Sequence, residues 1–499
     1  MIFTNTCDEH KIDMKTQSLK VNFIFSLIYQ LCNLLIPVIT LPYLARVLGP
    51  TGLGIQSYTM SIQQFFLLFS SLGAFIYGSR MISMERKDSF STSKTFWEIE
   101  IIVVCSTLIA LFFWSGICLF SSKYSYYYTI LAIGVFANLF DISWFFNGLE
   151  LFKLTVIRSL FFKILGAIAV FTFVKTSSDL PIYIFILSIS TLFSNLSLWL
   201  YLKRYIVKVS IKELHLKKHI KETIIYFIPT VSTSIYTVFD RVLIGFITQD
   251  PAQNGYYQQA EKILGIVQTI VFTAINSVFG VRNAFLFAEK NFEEIKKKIE
   301  FSLNFIVFLS CGCCFGIIAV ADNLVPLYLG SEFSETTTLL YILAPIIFII
   351  GISNCLGCQY YTPCGLRKQS SYYLIAGAMV NLLLNFVFIP VFKARGAAVA
   401  SLIAESVITF LYVKNCNGFT GFIKILKILL KKAISGILML CVVYSIKFFE
   451  VSGVLLVACQ IICGVIVYLV LLAILKDTWY LSVINRIFSR IYHNGKIRT

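Results

Sequence analysis

The chain has 499 residues, 58% of them hydrophobic and only 13% charged, with a net charge of +17. A water-soluble domain carries about 25% charged residues, so this composition excludes a soluble globular protein. The positive balance is not a nucleic-acid footprint either: it sits in short connectors between apolar runs, where membrane insertion and anionic headgroups account for it.

Residues 1–19 are polar and predict a cytoplasmic tail. The apolar run that follows is too long for a signal-peptide core and lacks a small-residue cleavage site, so it reads as a retained span. About 20 apolar residues cross a bilayer. On that basis the sequence predicts fourteen helices, at 20–45, 55–78, 98–120, 126–147, 154–174, 181–202, 223–248, 257–285, 301–321, 338–361, 371–392, 397–413, 430–447 and 452–475.

Helices one to six (20–202) form an N-lobe, and a basic cytoplasmic linker at 203–222 follows them. Helices seven to twelve (223–413) form a C-lobe; then come a connector at 414–429, two further helices in 430–475 and a basic cytoplasmic tail at 476–499. With both termini inside, 32 of the 42 Lys and Arg fall in cytoplasmic segments and six in external ones. Lys and Arg favour the cytoplasmic side, so the alternation fixes orientation and supports the count. Gly54-Ile-Gln-Ser-Tyr58 and Gly255-Tyr-Tyr-Gln-Gln259 follow corresponding external turns, 201 residues apart. An even number of helices per half makes such a repeat parallel. The expected fold class is therefore an all-α integral membrane protein: two six-helix lobes in parallel pseudo-repeat plus two C-terminal helices.

The fourteen cysteines lie almost all in apolar helices and read as small packing residues. The four His stand in tails or a connector, which argues against a metal centre, and no cofactor is expected. No GxxxxGK[ST] loop is present to cradle nucleotide phosphates, and no long external segment is available to hold the catalytic groups of a membrane glycosyltransferase or polymerase. Transport without an intrinsic ATPase remains, and the protein is not expected to be an enzyme.

Ionisable side chains inside a membrane cost about 2.5–3.5 kcal/mol each on insertion scales and mark functional sites by default. At 1.5 Å per residue, Asp240 and Arg241 of helix seven lie about 10–12 Å from its outer end. Glu261 and Lys262 of helix eight lie about 6–8 Å from the same end. Pairing of Asp240 with Lys262 and of Arg241 with Glu261 follows, as a structural clamp or as part of a polar wall with Thr233 and Tyr236. Asp141 and Lys163 form a second expected pair, with Arg158, Glu150 and Trp144 nearer the cytoplasmic mouth. Trp144 reads equally as an interfacial anchor. Glu405 stands near the middle of helix twelve with no basic residue at its depth on helix eleven. It is either a carboxyl whose proton is exchanged during transport or a packing group hydrogen-bonded to Asn381 or Asn385.

Pro37-Val-Ile-Thr-Leu-Pro42-Tyr-Leu-Ala-Arg46-Val-Leu-Gly49-Pro-Thr-Gly52-Leu-Gly54 is similar to the entry signature of Wzx-type polysaccharide repeat-unit flippases, in the multidrug/oligosaccharidyl-lipid/polysaccharide exporter superfamily. Tyr77-Gly-Ser-Arg80, Trp144-Phe-Phe-Asn-Gly-Leu-Glu150, Asp240-Arg-Val-Leu-Ile-Gly245, Asn254-Gly-Tyr-Tyr-Gln-Gln-Ala-Glu261-Lys262, Gln359-Tyr360, Gly396-Ala397 and Ala404-Glu405 extend the resemblance in order along the chain. It implies flipping of an undecaprenyl-diphosphate-linked oligosaccharide across a bacterial inner membrane for O-antigen or capsule assembly, by alternating access driven by an ion gradient. Membrane lipids, a polysaccharide polymerase and a chain-length regulator are the implied partners. Arg241, Lys262, Arg158 and Lys163 are then candidates for the diphosphate, and Tyr236, Tyr257, Trp144 and Tyr360 for stacking on sugars. Asp240, Glu261 and Glu405 are candidates for counter-ion balance or coupling. The competing reading is a cation-coupled drug or metabolite antiporter of the same superfamily, with a membrane polymerase behind it.

Overall fold

The computed structural model describes residues 19–289, 291–446 and 452–496. The first 18 residues of the expected tail, Lys447 at the end of predicted helix thirteen and the last three residues lie outside the described residues. Every regular element among the described residues is helical, and the chain divides into two compact units at Val238/Phe239.

The first unit contains α1 (Leu19–Ser71), α2 (Ala74–Glu85), α3 (Ser89–Phe120), α4 (Ser125–Ala137), α5 (Ser143–Gly148), α6 (Phe152–Phe173), α7 (Leu180–Leu202) and most of α8 (Leu216–Thr248). α1 has 53 residues, about 80 Å if straight, against a hydrocarbon core of about 30 Å. It is broken at Gly49, whose φ of 65° and ψ of 179° are non-helical. Pro50 bars the preceding residue from the helical region, and glycine alone takes the positive φ without strain. The first break between predicted helices is thus written in the Gly49-Pro50 dipeptide. A second break, at Leu72-Gly73, separates α1 from α2. There a Cβ on Gly73 would stand 2.8 Å from the backbone nitrogen of Phe227, so the missing side chain admits α8 against the turn.

The core of this unit is aromatic and lies toward one end. Phe96 of α3 stacks on Trp144 at 5.7 Å and meets Phe145 edge-on at 4.9 Å, among Ile82, Ile99, Ile142, Leu198 and Leu202. Elsewhere α3 exposes Leu108, Ile109, Phe112, Phe113, Leu119 and Phe120. A contiguous apolar face of this kind is incompatible with water and is the surface expected of a helix solvated by lipid.

The second unit contains the end of α8, then α9 (Pro251–Ala288), α10 (Phe292–Tyr328), α11 (Ser334–Leu343), α12 (Ile346–Leu356), a π-helical turn at Gly357–Tyr361, α13 (Arg367–Lys414), α14 (Phe422–Ser445), α15 (Gly453–Ile474) and α16 (Thr478–Lys496). α10 is its axis, packed on α9, α11, α12, α14 and α15. α13 joins predicted helices eleven and twelve through a single non-helical residue, Lys393 (φ 52°). The α11–α12 pair is bent by 48°.

Among the described residues, eight helices are long and apolar enough to cross a membrane, or nine if that bent pair is one span. α1 with α2, and α13, each count once there although each holds two of the fourteen predicted segments.

Two boundaries differ from the sequence reading. The basic linker at 203–222 is not a free connector, because its end is the first turns of α8 and packs into the first unit through His219. The division therefore falls inside α8 rather than at the linker. The predicted basic tail is a helix, α16, whose N-terminus is held by the buried pair Lys432–Asp477 at 3.0 Å.

Candidate functional site

A buried polar cluster forms in the second unit where α8, α9 and α13 meet. Asp240, 4% exposed, accepts hydrogen bonds from three neutral donors: Tyr257 Oη at 2.7 Å, Ser401 Oγ at 2.5 Å and Asn385 Nδ2 at 2.6 Å. The turn at Lys393 sets the two arms of α13 side by side, so Asn381 Nδ2 reaches Ser401 Oγ at 3.3 Å and Asn385 Nδ2 also reaches Asn381 Oδ1 at 3.0 Å. Tyr257, Asn381, Asn385 and Ser401 are all buried. One carboxylate is thus held by hydroxyl and amide groups alone, and Asn385 Oδ1 is buried without a hydrogen-bond partner among the described residues. Such a group of oxygens around one carboxyl can take a proton or a small hard cation.

Arg241 and Glu261 pair as expected, with Nε 3.5 Å from the carboxylate and both side chains partly exposed. The other expected pair does not form: no ion pair joins Asp240 to Lys262 among the described residues. Tyr257, one turn before Glu261 on α9, reaches Asp240 first and replaces the predicted cation with a phenol. Lys262 stays beside Glu261, partly buried. The side chains of Thr233 and Tyr236 lie outside the described residues. Glu405, 4% exposed, stands one turn beyond Ser401 on α13. Of its alternative partners in the sequence reading, Asn381 donates to Ser401, and Asn385 donates to Asp240 and to Asn381.

The first unit redraws the second expected pair. Lys163 Nζ donates to Asn33 Oδ1 at 2.5 Å and lies 5.0 Å from the centre of the Tyr29 ring, so it faces α1 rather than Asp141. Arg158, five residues earlier and therefore on another face of α6, donates through one terminal nitrogen to the carbonyl and hydroxyl oxygens of Ser194 on α7. It is Arg158 that lies within electrostatic reach of Asp141, which also accepts from the backbone N–H of Ser143 at 3.1 Å. Glu150 pairs with Arg86 at 2.7 Å.

Three candidate sugar platforms are covered. Trp144, 2% exposed, belongs to the aromatic core and is neither an interfacial anchor nor an open ring face. Tyr257 is turned to Asp240. Tyr360, 3% exposed, packs on Tyr361 and Phe419 and accepts from Asn417 Nδ2 at 3.0 Å.

Sequence reasoning missed three residues. His219, fully buried, links Glu98 of α3 (2.7 Å) to the Tyr77 hydroxyl of α2 (2.8 Å). Glu100, 1% exposed, has both carboxylate oxygens buried without a hydrogen-bond partner among the described residues, with Asp141 in electrostatic reach. The signal was present: Trp97-Glu-Ile-Glu-Ile-Ile puts two carboxylates inside the start of an apolar run.

A family model described as "Polysaccharide biosynthesis protein" matches residues 19–279. The chain belongs to that family. Across 408 residues it is 25% identical to a protein of Escherichia coli K12 named "Putative O-antigen transporter", covering 80% of this chain and 97% of the relative. It is also 25% identical over 189 residues, 37% of this chain and 39% of the relative, to a Haloferax volcanii protein named "Probable low-salt glycan biosynthesis flippase Agl15". The solved structure of the lipid II flippase MurJ, in an inward closed conformation, superposes with a TM-score of 0.70 at 18% identity, covering 93% of this chain and all of that one. That likeness shows the fold, and this member of the family is accordingly a multi-span helical membrane protein.

Proposed function

We propose that the protein flips an undecaprenyl-diphosphate-linked oligosaccharide repeat unit from the cytoplasmic to the outer leaflet of the bacterial inner membrane, for O-antigen or capsule assembly. The observation that carries this reading is the match, over 80% of this chain and 97% of the relative, to a protein named "Putative O-antigen transporter". The chemistry agrees. A diphosphate needs cations along its path, and Arg241, Lys262, Arg158 and Lys163 all stand within long, largely apolar helices. The sugar contacts fall to polar groups and to rings other than Trp144, Tyr257 and Tyr360, whose faces are covered.

Coupling belongs to Asp240 and its ring of neutral oxygens, with Glu405 one turn away. Among the described residues Asp240 is a carboxyl group that ties α8, α9 and both arms of α13 together, so binding or losing a proton or cation there changes how these helices are held. Fourteen spans with both termini inside complete the proposal.

Proteoliposomes carrying a fluorescent polyprenyl-diphosphate oligosaccharide in one leaflet test it. An imposed ion gradient should move label into the opposite leaflet in the presence of the protein. Absence of movement, together with gradient-driven uptake of a small organic cation, would overturn the proposal in favour of the antiporter.

A further inference from the structure

On the flank of the first unit, α6 and α7 leave a groove of about 500 Å³ between them. That volume is in the range of small-molecule sites. Its walls are Leu154, Ile157 and Phe161 of α6 and Leu200 of α7. Ile157, Phe161 and Leu200 are among the exposed large apolar residues, so the groove opens sideways. Toward the N-terminus of α6 the lining turns polar, with Lys153, Arg158, Tyr201 and Tyr205.

From Lys153 to Phe162 the groove follows α6 for about 14 Å. Lys153, Tyr201 and Tyr205 stand toward the helix terminus, Arg158 midway along, and Phe161 and Phe162 within the span. Arg158 is already fixed in place: one terminal nitrogen is bonded to Ser194 of α7, and its Nε has no hydrogen-bond partner among the described residues. A guanidinium held by two of its five donors is fixed in orientation, and with Nε buried its other terminal nitrogen is the donor left to meet phosphate. Asp141 lies within electrostatic reach of Arg158. Lys153 is exposed, its ammonium 5.9 Å from the centre of the Phe25 ring.

We propose that this groove binds the phosphate end and first isoprene units of a polyprenyl diphosphate, so that the carrier docks on the outer flank of α6 and α7. This rests on the reading of the protein as a flippase and adds a second contact for the same cargo. The charges decide the occupant. Two cations about 7.5 Å apart along α6, with two phenols beside the outer one, answer a head that carries more than one negative charge, and a cleft between two neighbouring helices admits one chain, whereas a membrane phospholipid offers a single phosphodiester on two chains.

Native mass spectrometry of the full-length protein, titrated separately with undecaprenyl diphosphate and with phosphatidylglycerol, tests the inference. Wild type should retain undecaprenyl diphosphate at least tenfold better than phosphatidylglycerol. Lys153→Gln with Arg158→Gln should lower that retention about tenfold, and so should Leu154→Trp, which fills the groove without changing charge. Ser197→Trp fills it from α7 and guards against misfolding of the α6 variants. Equal retention of both lipids by wild type, or unchanged retention in the charge and filling variants, would overturn the docking site. If wild type still moves lipid-linked oligosaccharide in vesicles in that case, the flippase reading stands without the groove. If wild type neither binds undecaprenyl diphosphate nor moves it, both fall.

Discussion

Single carboxyl groups carry most of the chemistry in this chain, and their surroundings differ in kind. Asp240 is surrounded by neutral donors from two neighbouring helices, whereas Glu405 stands one turn beyond Ser401 at similar burial. Glu405→Gln keeps volume and hydrogen bonding but removes the exchangeable proton. We expect it to leave the fold and cargo binding in place and to cut the acceleration of transport by an imposed pH gradient at least tenfold. Reconstituted transport with and without the gradient measures this, and full retention of the acceleration would make Glu405 a packing residue. The Arg241–Glu261 pair was legible in the sequence because two consecutive antiparallel helices put those residues at one depth. The partners of Asp240 were not. Asn385 and Ser401 lie 145 and 161 residues away, and no periodicity reports which face of a distant helix will meet a given carboxylate.

At the scale of elements, the tie among α2, α3 and α8 is the feature that apolar patterning could not reveal. A histidine in a basic connector reads as solvated, yet His219 is fully buried between Glu98 and Tyr77 because the connector ends as the first turns of α8. Removing one partner of a buried hydrogen bond leaves the other unsatisfied, at a cost of about 1–3 kcal/mol and more for a charged group. His219→Ala should therefore destabilise the first unit by about 3 kcal/mol, read as a lower unfolding midpoint in detergent. The double change with Glu98→Leu should recover part of the loss. A His219→Ala protein as stable as wild type would mean that Glu98 finds water in its place. The breaks at Gly49-Pro50 and at the π-helical turn show the same contrast. The first follows from a dipeptide rule, while the second depends on how α12 packs, and only the first could be read in advance.

For the whole molecule, the alternation of Lys and Arg remains the broadest statement the sequence makes, since membrane insertion reads it directly. It predicts that cysteine labels or reporter fusions near residues 88, 212, 296 and 420 are accessible from the cytoplasmic side, and those near 123, 252 and 330 from outside. An external label at 212 would remove the orientation and the count of six helices before the linker. The all-helical architecture and the apolar faces were legible because lipid permits few alternatives to helices. The division point was not, since it falls at Val238/Phe239 inside a continuous helix, with no change of composition to mark it.

The one-residue breaks in α1 and α13 bear on how the chain is made. Gly49 and Lys393 each turn the backbone without a loop, so no stretch of water-soluble chain separates the two arms. While the protein is being synthesised, the first arm cannot settle in the bilayer and wait with a free polar tether for the second. The two arms of each helix are therefore expected to leave the insertion machinery together. Lengthening either break with a few glycines would uncouple that event, and pulse-labelled chains should then show the arms entering the membrane one after the other.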